Sequence, residues 1–117
     1  MAIDYDLEER VIERLYSKFR RSRPKQPGSL WSWMSGWYYK AAVEAIRSGA
    51  KEVPDPEISE IEGGYSLRFA HPHRDSVFEV DFVSYPRLGF RVKGLSGSNK
   101  EEVVREALVA WITGAAV

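Results

Sequence analysis

Hydrophobic residues recur at helical spacing at both ends of the chain and alternate strictly in between. Leu7, Val11, Ile12, Leu15, Tyr16 and Phe19 fall on one side of a helical wheel, which predicts a first helix from Asp4 to about Arg21. Asp4 or Asp6 can cap its start, and Lys18, Arg20 and Arg21 suit the negative end of its dipole. Pro24, Pro27 and Gly28 then interrupt the pattern. So short a connection predicts a second helix packed antiparallel to the first.

That second helix, Ser29–Gly49, is the stretch around which the rest is expected to pack. Leu30, Trp31, Met34, Trp37, Tyr38, Ala41, Ala42, Ala45 and Ile46 occupy one wide arc of the wheel. An arc this wide implies contact on two sides, a sheet below and helices beside. Ser29 is the expected cap and Gly49 the terminator. Trp33 projects among polar residues, between Lys40 and Glu44, so that it either is exposed as a binding surface or is covered by the first helix or the Pro-rich loop.

Three strands follow the linker marked by Pro54 and Pro56. Tyr65, Leu67 and Phe69 alternate with polar neighbours, as do Phe78, Val80 and Phe82, and then Leu88, Phe90 and Val92. Period two with one apolar face predicts an antiparallel meander covered on one side. Glu57–Ile61 is a weaker fourth candidate, because Ile58 and Ile61 do not alternate. Matching the apolar faces pairs Phe69 with Phe78, and a three-residue turn at Tyr85–Arg87 pairs Phe82 with Phe90. Arg68 then faces Glu79, and Asp81 faces Arg91. Ser98 with Glu101 forms a capping box for a last helix whose stripe is Val103, Val104, Ala107, Leu108, Trp111 and Ile112. The fold class is therefore α+β, a three- to four-stranded antiparallel meander with helices on one face, in the order α-α-(β)-β-β-β-α. The 117 residues are expected to form one domain.

Composition narrows the function classes without choosing one. The absence of cysteine removes disulfides, thiolate metal sites and cysteine nucleophiles. No basic, apolar and small-residue leader opens the chain, and no apolar run is long enough to span a bilayer, so a cytoplasmic location is expected. The net charge of zero is unevenly divided. Residues 1–50 hold nine Lys/Arg and six Asp/Glu, a net of +3, whereas residues 51–117 hold eight and eleven, a net of −3. The whole chain is thus a poor generic polyanion binder, but it has room for a local basic patch.

That patch is Lys18, Arg20, Arg21, Arg23 and Lys25, followed closely by Trp31, Trp33 and Trp37. Cations beside aromatics suit single-stranded nucleic acid, with charge for phosphate and rings for bases. Arg and Trp are equally the common anchors of protein interfaces. The leading expectation is a non-catalytic protein-binding or adaptor module acting through Arg20, Arg21, Arg23, Lys25 and Trp33. RNA or single-stranded DNA is the alternative partner at the same corner. A third candidate is His71, His73 and Asp75, which could ligate a divalent ion, although their spacing matches no closed four-ligand site. The acidic run Glu52–Glu62 lacks the ligand spacing of a calcium loop and reads as a solvated linker. Gly63-Gly64 and Gly94–Gly97 match neither phosphate-binding nor dinucleotide fingerprints, so no cofactor is expected.

From Lys40 to Thr113 the helix–strands–helix order resembles a double-stranded-RNA-binding domain. The Pro72-His73 turn before Phe78 resembles that family's proline–histidine loop. Ser96–Leu108 resembles the glycine–serine approach to its lysine-rich last helix. The resemblance implies a loop that enters a minor groove and a helix start that holds phosphates. At that start only Lys100 falls in place, with Glu101, Glu102 and Glu106 around it. The chain is not assigned to the family.

Overall fold

The computed structural model describes residues 4–25, 28–83, 89–92 and 101–114. Helix α1 spans Tyr5–Ser22, and the Asp4 carboxylate caps it by accepting the Leu7 N–H at 3.0 Å. Helix α2 spans Gly28–Arg47. It starts one residue earlier than expected, at a positive-φ glycine, so Ser29 lies inside the first turn and does not cap it. Gly49, with φ 105°, ends α2. The Ala50 N–H bonds to the Ala45 carbonyl and the Gly49 N–H to that of Ile46, the double closure of a Schellman motif.

The two helices run antiparallel. Glu8 at the start of α1 pairs with Arg47 at the end of α2 at 2.7 Å. Tyr16 stacks on Tyr39, and Phe19 meets Trp31 edge-on.

Among the described residues the sheet has four strands: β1 (Glu57–Ile61), β2 (Gly64–Ala70), β3 (Val77–Val83) and β4 (Gly89–Val92), in the order β1-β2-β3-β4 and antiparallel throughout. The non-alternating β1 is a real strand. Ile61 sits at its end, paired with Gly64 across a hairpin whose Gly63 has φ 80°. The register is the expected one. Phe69 pairs with Phe78, Arg68 with Glu79, Phe82 with Phe90 and Asp81 with Arg91. On the outer face Arg68 reaches Glu79 at 3.1 Å and Glu57 at 3.9 Å. The Tyr85–Arg87 turn and the Ser98 cap lie outside the described residues.

Helix α3 spans Glu101–Thr113. It packs beside α2, and the two helices contact β3 and β4. Leu67, Phe69, Val80 and Phe82 from the sheet meet Met34, Trp37 and Ala41 from α2 and Val104 and Leu108 from α3 in one core. The linker is more anchored than a solvated segment. Val53, Pro54 and Pro56 are buried. Arg14 of α1 holds it from outside, donating to Asp55 at 2.7 Å and to the Val53 carbonyl at 2.6 Å.

Candidate functional site

Among the described residues the arginines fall into two groups. Arg10 bonds a backbone carbonyl of its own helix, and Arg14, Arg47, Arg68 and Arg105 meet carboxylates. Arg74 donates to the Trp111 carbonyl at 2.7 Å. Arg20, Arg21 and Arg23 are exposed and, among the described residues, reach no carboxylate; the same holds for the exposed Lys25. Among the described residues, the basic end of α1 is thus where exposed guanidinium groups lack an internal carboxylate.

Two of them face a cleft. Residues three and four apart share a side of a helix, so Tyr16, Phe19 and Arg20 of α1 form one wall, extended by Arg23 at the C-cap. Trp31, Ser32, Ser35 and Tyr39 form the other from α2. Together they line a recess of about 290 Å³. Its base is aromatic. Tyr16 and Tyr39 stack with centroids 5.4 Å apart and planes within 7°, and Phe19 meets Tyr39 edge-on at 5.6 Å. Tyr16 nevertheless keeps 58% of its surface exposed. Burial, and then the neighbouring Tyr16, push the Tyr39 hydroxyl above its ordinary pKa, so it stays a neutral donor. The Ser35 hydroxyl donates to the Ser32 carbonyl at 3.2 Å, while Ser32 itself is exposed at the rim.

Trp33 does not join this corner. It is half-buried and packs edge-on against Phe82 of β3, with centroids 5.1 Å apart and planes at 84°. Trp37 meets the same ring at 5.2 Å. On α2 Trp33 lies roughly 145° around the helix from the cleft wall, at 100° per residue. The wheel places it among polar side chains, but β3 extends under that flank of the helix. Arg21 and Lys25 lie near the cleft in sequence without lining it.

The histidine loop is organised around Trp111. His71 Nδ1 accepts the His73 N–H at 3.0 Å, its Nε2 is buried without a hydrogen-bond partner, and its ring stands edge-on to Trp111 at 5.0 Å. The Trp111 indole N–H donates to Ser76 at 2.9 Å. His73 points elsewhere, with Nε2 3.6 Å from Glu52. His71, His73 and Asp75 do not converge, and among the described residues no three His, Asp or Glu side chains are placed to hold a metal ion. His71 Nδ1 is thus occupied by an internal donor and Nε2 is buried.

The residues that sequence reasoning missed are Tyr16, Ser32, Ser35 and Tyr39. A signal was present. Ser32, Ser35 and Tyr39 recur at three- and four-residue spacing beside the buried arc, and Tyr16 precedes Arg20 by one turn.

Compared with protein families, curated proteins and solved structures, the chain matches none. The resemblance to a double-stranded-RNA-binding domain extends to a helix–strands–helix arrangement and not to the strand count. Four strands, not three, separate α2 from α3, and Lys100 lies outside the described residues. Among the described residues no helix is long and apolar enough to cross a membrane.

Proposed function

We propose that this chain is a non-catalytic protein-binding module that takes an acidic segment of a partner at the α1–α2 corner. The carrying observation is the contrast among arginines. Among the described residues, Arg20, Arg21 and Arg23 stand exposed without a carboxylate, whereas Arg14, Arg47, Arg68 and Arg105 are engaged by one. A guanidinium is a weakly hydrated fork suited to carboxylates. Three of them within four residues, beside a recess with aromatic walls, make a compact anchor. Nucleic acid asks for a longer track of cations, because affinity grows with each phosphate neutralised.

The test immobilises the full chain and measures retention of polyglutamate and of an oligothymidylate. Wild type is expected to retain polyglutamate, more weakly as salt rises, and the R20E/R21E/R23E variant to lose it. Equal retention by both proteins overturns the proposal. Stronger arginine-dependent retention of the oligothymidylate overturns it in favour of nucleic acid.

A further inference from the structure

We infer that the α1–α2 cleft receives a phosphorylated aromatic side chain, of the phosphotyrosine kind, from the partner segment. This rests on the reading of the corner as an acidic-segment site and specifies what enters the recess.

The charge argument comes first. Arg20 in the last turn of α1 and Arg23 at its C-cap both line the cleft, and among the described residues neither pairs with a carboxylate. One carboxylate carries a single charge, which one guanidinium fork balances. A phosphoryl group carries about −1.5 to −2 and three acceptor oxygens, which matches two guanidinium forks. Ser32 adds an exposed hydroxyl on the opposite rim, whereas Ser35 already donates to a carbonyl.

The ring argument is independent. Tyr16 is the most exposed aromatic of the cleft and is held flat by its stack on Tyr39. Its exposed surface in the cleft lining can meet an incoming ring at little cost in side-chain freedom, and stacked or edge-on aromatic contacts favour a ring over an aliphatic chain. A phosphoserine or a glutamate would reach the arginines and leave that surface uncovered. Size gives the third constraint. About 290 Å³ lies at the lower limit of ligand pockets, roughly 300–1,000 Å³. That suits one ring with its anionic group better than a base, sugar and phosphate together.

Fluorescence anisotropy with the full chain tests this, using acidic peptides identical except for one central residue: phosphotyrosine, phosphoserine, glutamate or tyrosine. The phosphotyrosine peptide is expected to bind about tenfold or more tighter than each of the others, a single charge-assisted contact being worth that much. Phenyl phosphate should compete at concentrations where inorganic phosphate does not. R23Q and Y16A should each remove the preference, while Y16F, which keeps the ring, should preserve it. Equal binding of the phosphotyrosine and glutamate peptides, or of the phosphotyrosine and phosphoserine peptides, overturns the inference and leaves the acidic-segment reading standing. Failure of every peptide, together with failure to retain polyglutamate, overturns both.

Discussion

The Tyr38 hydroxyl donates a hydrogen bond to the Pro54 carbonyl, tying the middle of α2 to the linker that leads into the sheet. Burial, reinforced by Asp55, pushes the ionisation of this phenol well above its usual value of 10.0, against a smaller opposing effect of Arg14. Above pH 10 the unfolded chain therefore releases the Tyr38 proton while the folded chain keeps it. The folded state binds more protons there, so this contribution to stability is complete below pH 10 and declines as pH rises. The slope is about 1.4 kcal/mol per pH unit. Urea midpoints at pH 8 and pH 11 should show a larger alkaline loss in wild type than in Y38F.

Two glycines are expected to respond oppositely to the same substitution. A Cβ on Gly64 would fall 1.8 Å from the Phe82 carbonyl oxygen. G64A should therefore separate β2 from β3 and lower stability by about 1–3 kcal/mol or more. A Cβ on Gly36 in the middle of α2 would meet nothing within 4 Å. G36A should raise stability by about 0.5–1 kcal/mol through helix propensity alone. Thermal denaturation of the two variants checks both signs.

Trp33 should behave as a packing residue. Because it is half-buried on Phe82, W33A is expected to cost about 2 kcal/mol, less than the ~3–5 of a fully buried tryptophan. Affinity for an acidic peptide at the α1–α2 cleft should be unchanged, as measured by anisotropy under conditions where the variant is folded.

Arg105 links α3 to α2 through Glu44 at 3.0 Å and also meets Glu101 of its own helix at 3.6 Å. Its side chain is only 18% exposed, but that of Glu44 is 44% exposed, so solvent screens much of the pair. A double-mutant cycle on R105A and E44A should give a coupling of about 0.5–1 kcal/mol that shrinks in high salt.

The alternation of Tyr65, Leu67 and Phe69 against Phe78, Val80 and Phe82 was enough to read the β2–β3 register, because a one-residue slip would turn every apolar side chain outward. The buried arc of α2 was legible for a similar reason: its period locates one side of a helix. Trp33 was not legible, since a wheel orders side chains around an axis without saying how far a neighbouring strand extends. The cleft was half legible. Arg20 and Arg23 stand out as charge, whereas the Tyr16–Tyr39 stack depends on how two helices align along their length. The same limit applies to the linker. Its prolines and acids suggest solvent, and only tertiary contact shows Val53, Pro54 and Pro56 enclosed.

Strand β1 borders the sheet, paired on one side only among the described residues. An open border of this kind is a template on which a second copy could grow, turning a folded protein into a fibre. Along it stand Glu57 and Glu60, with Glu62 at the adjoining turn, all exposed. Two such borders brought together would set carboxylate against carboxylate before the backbones could meet. The acids of β1 and its turn thus oppose edge-to-edge pairing of two copies of the sheet.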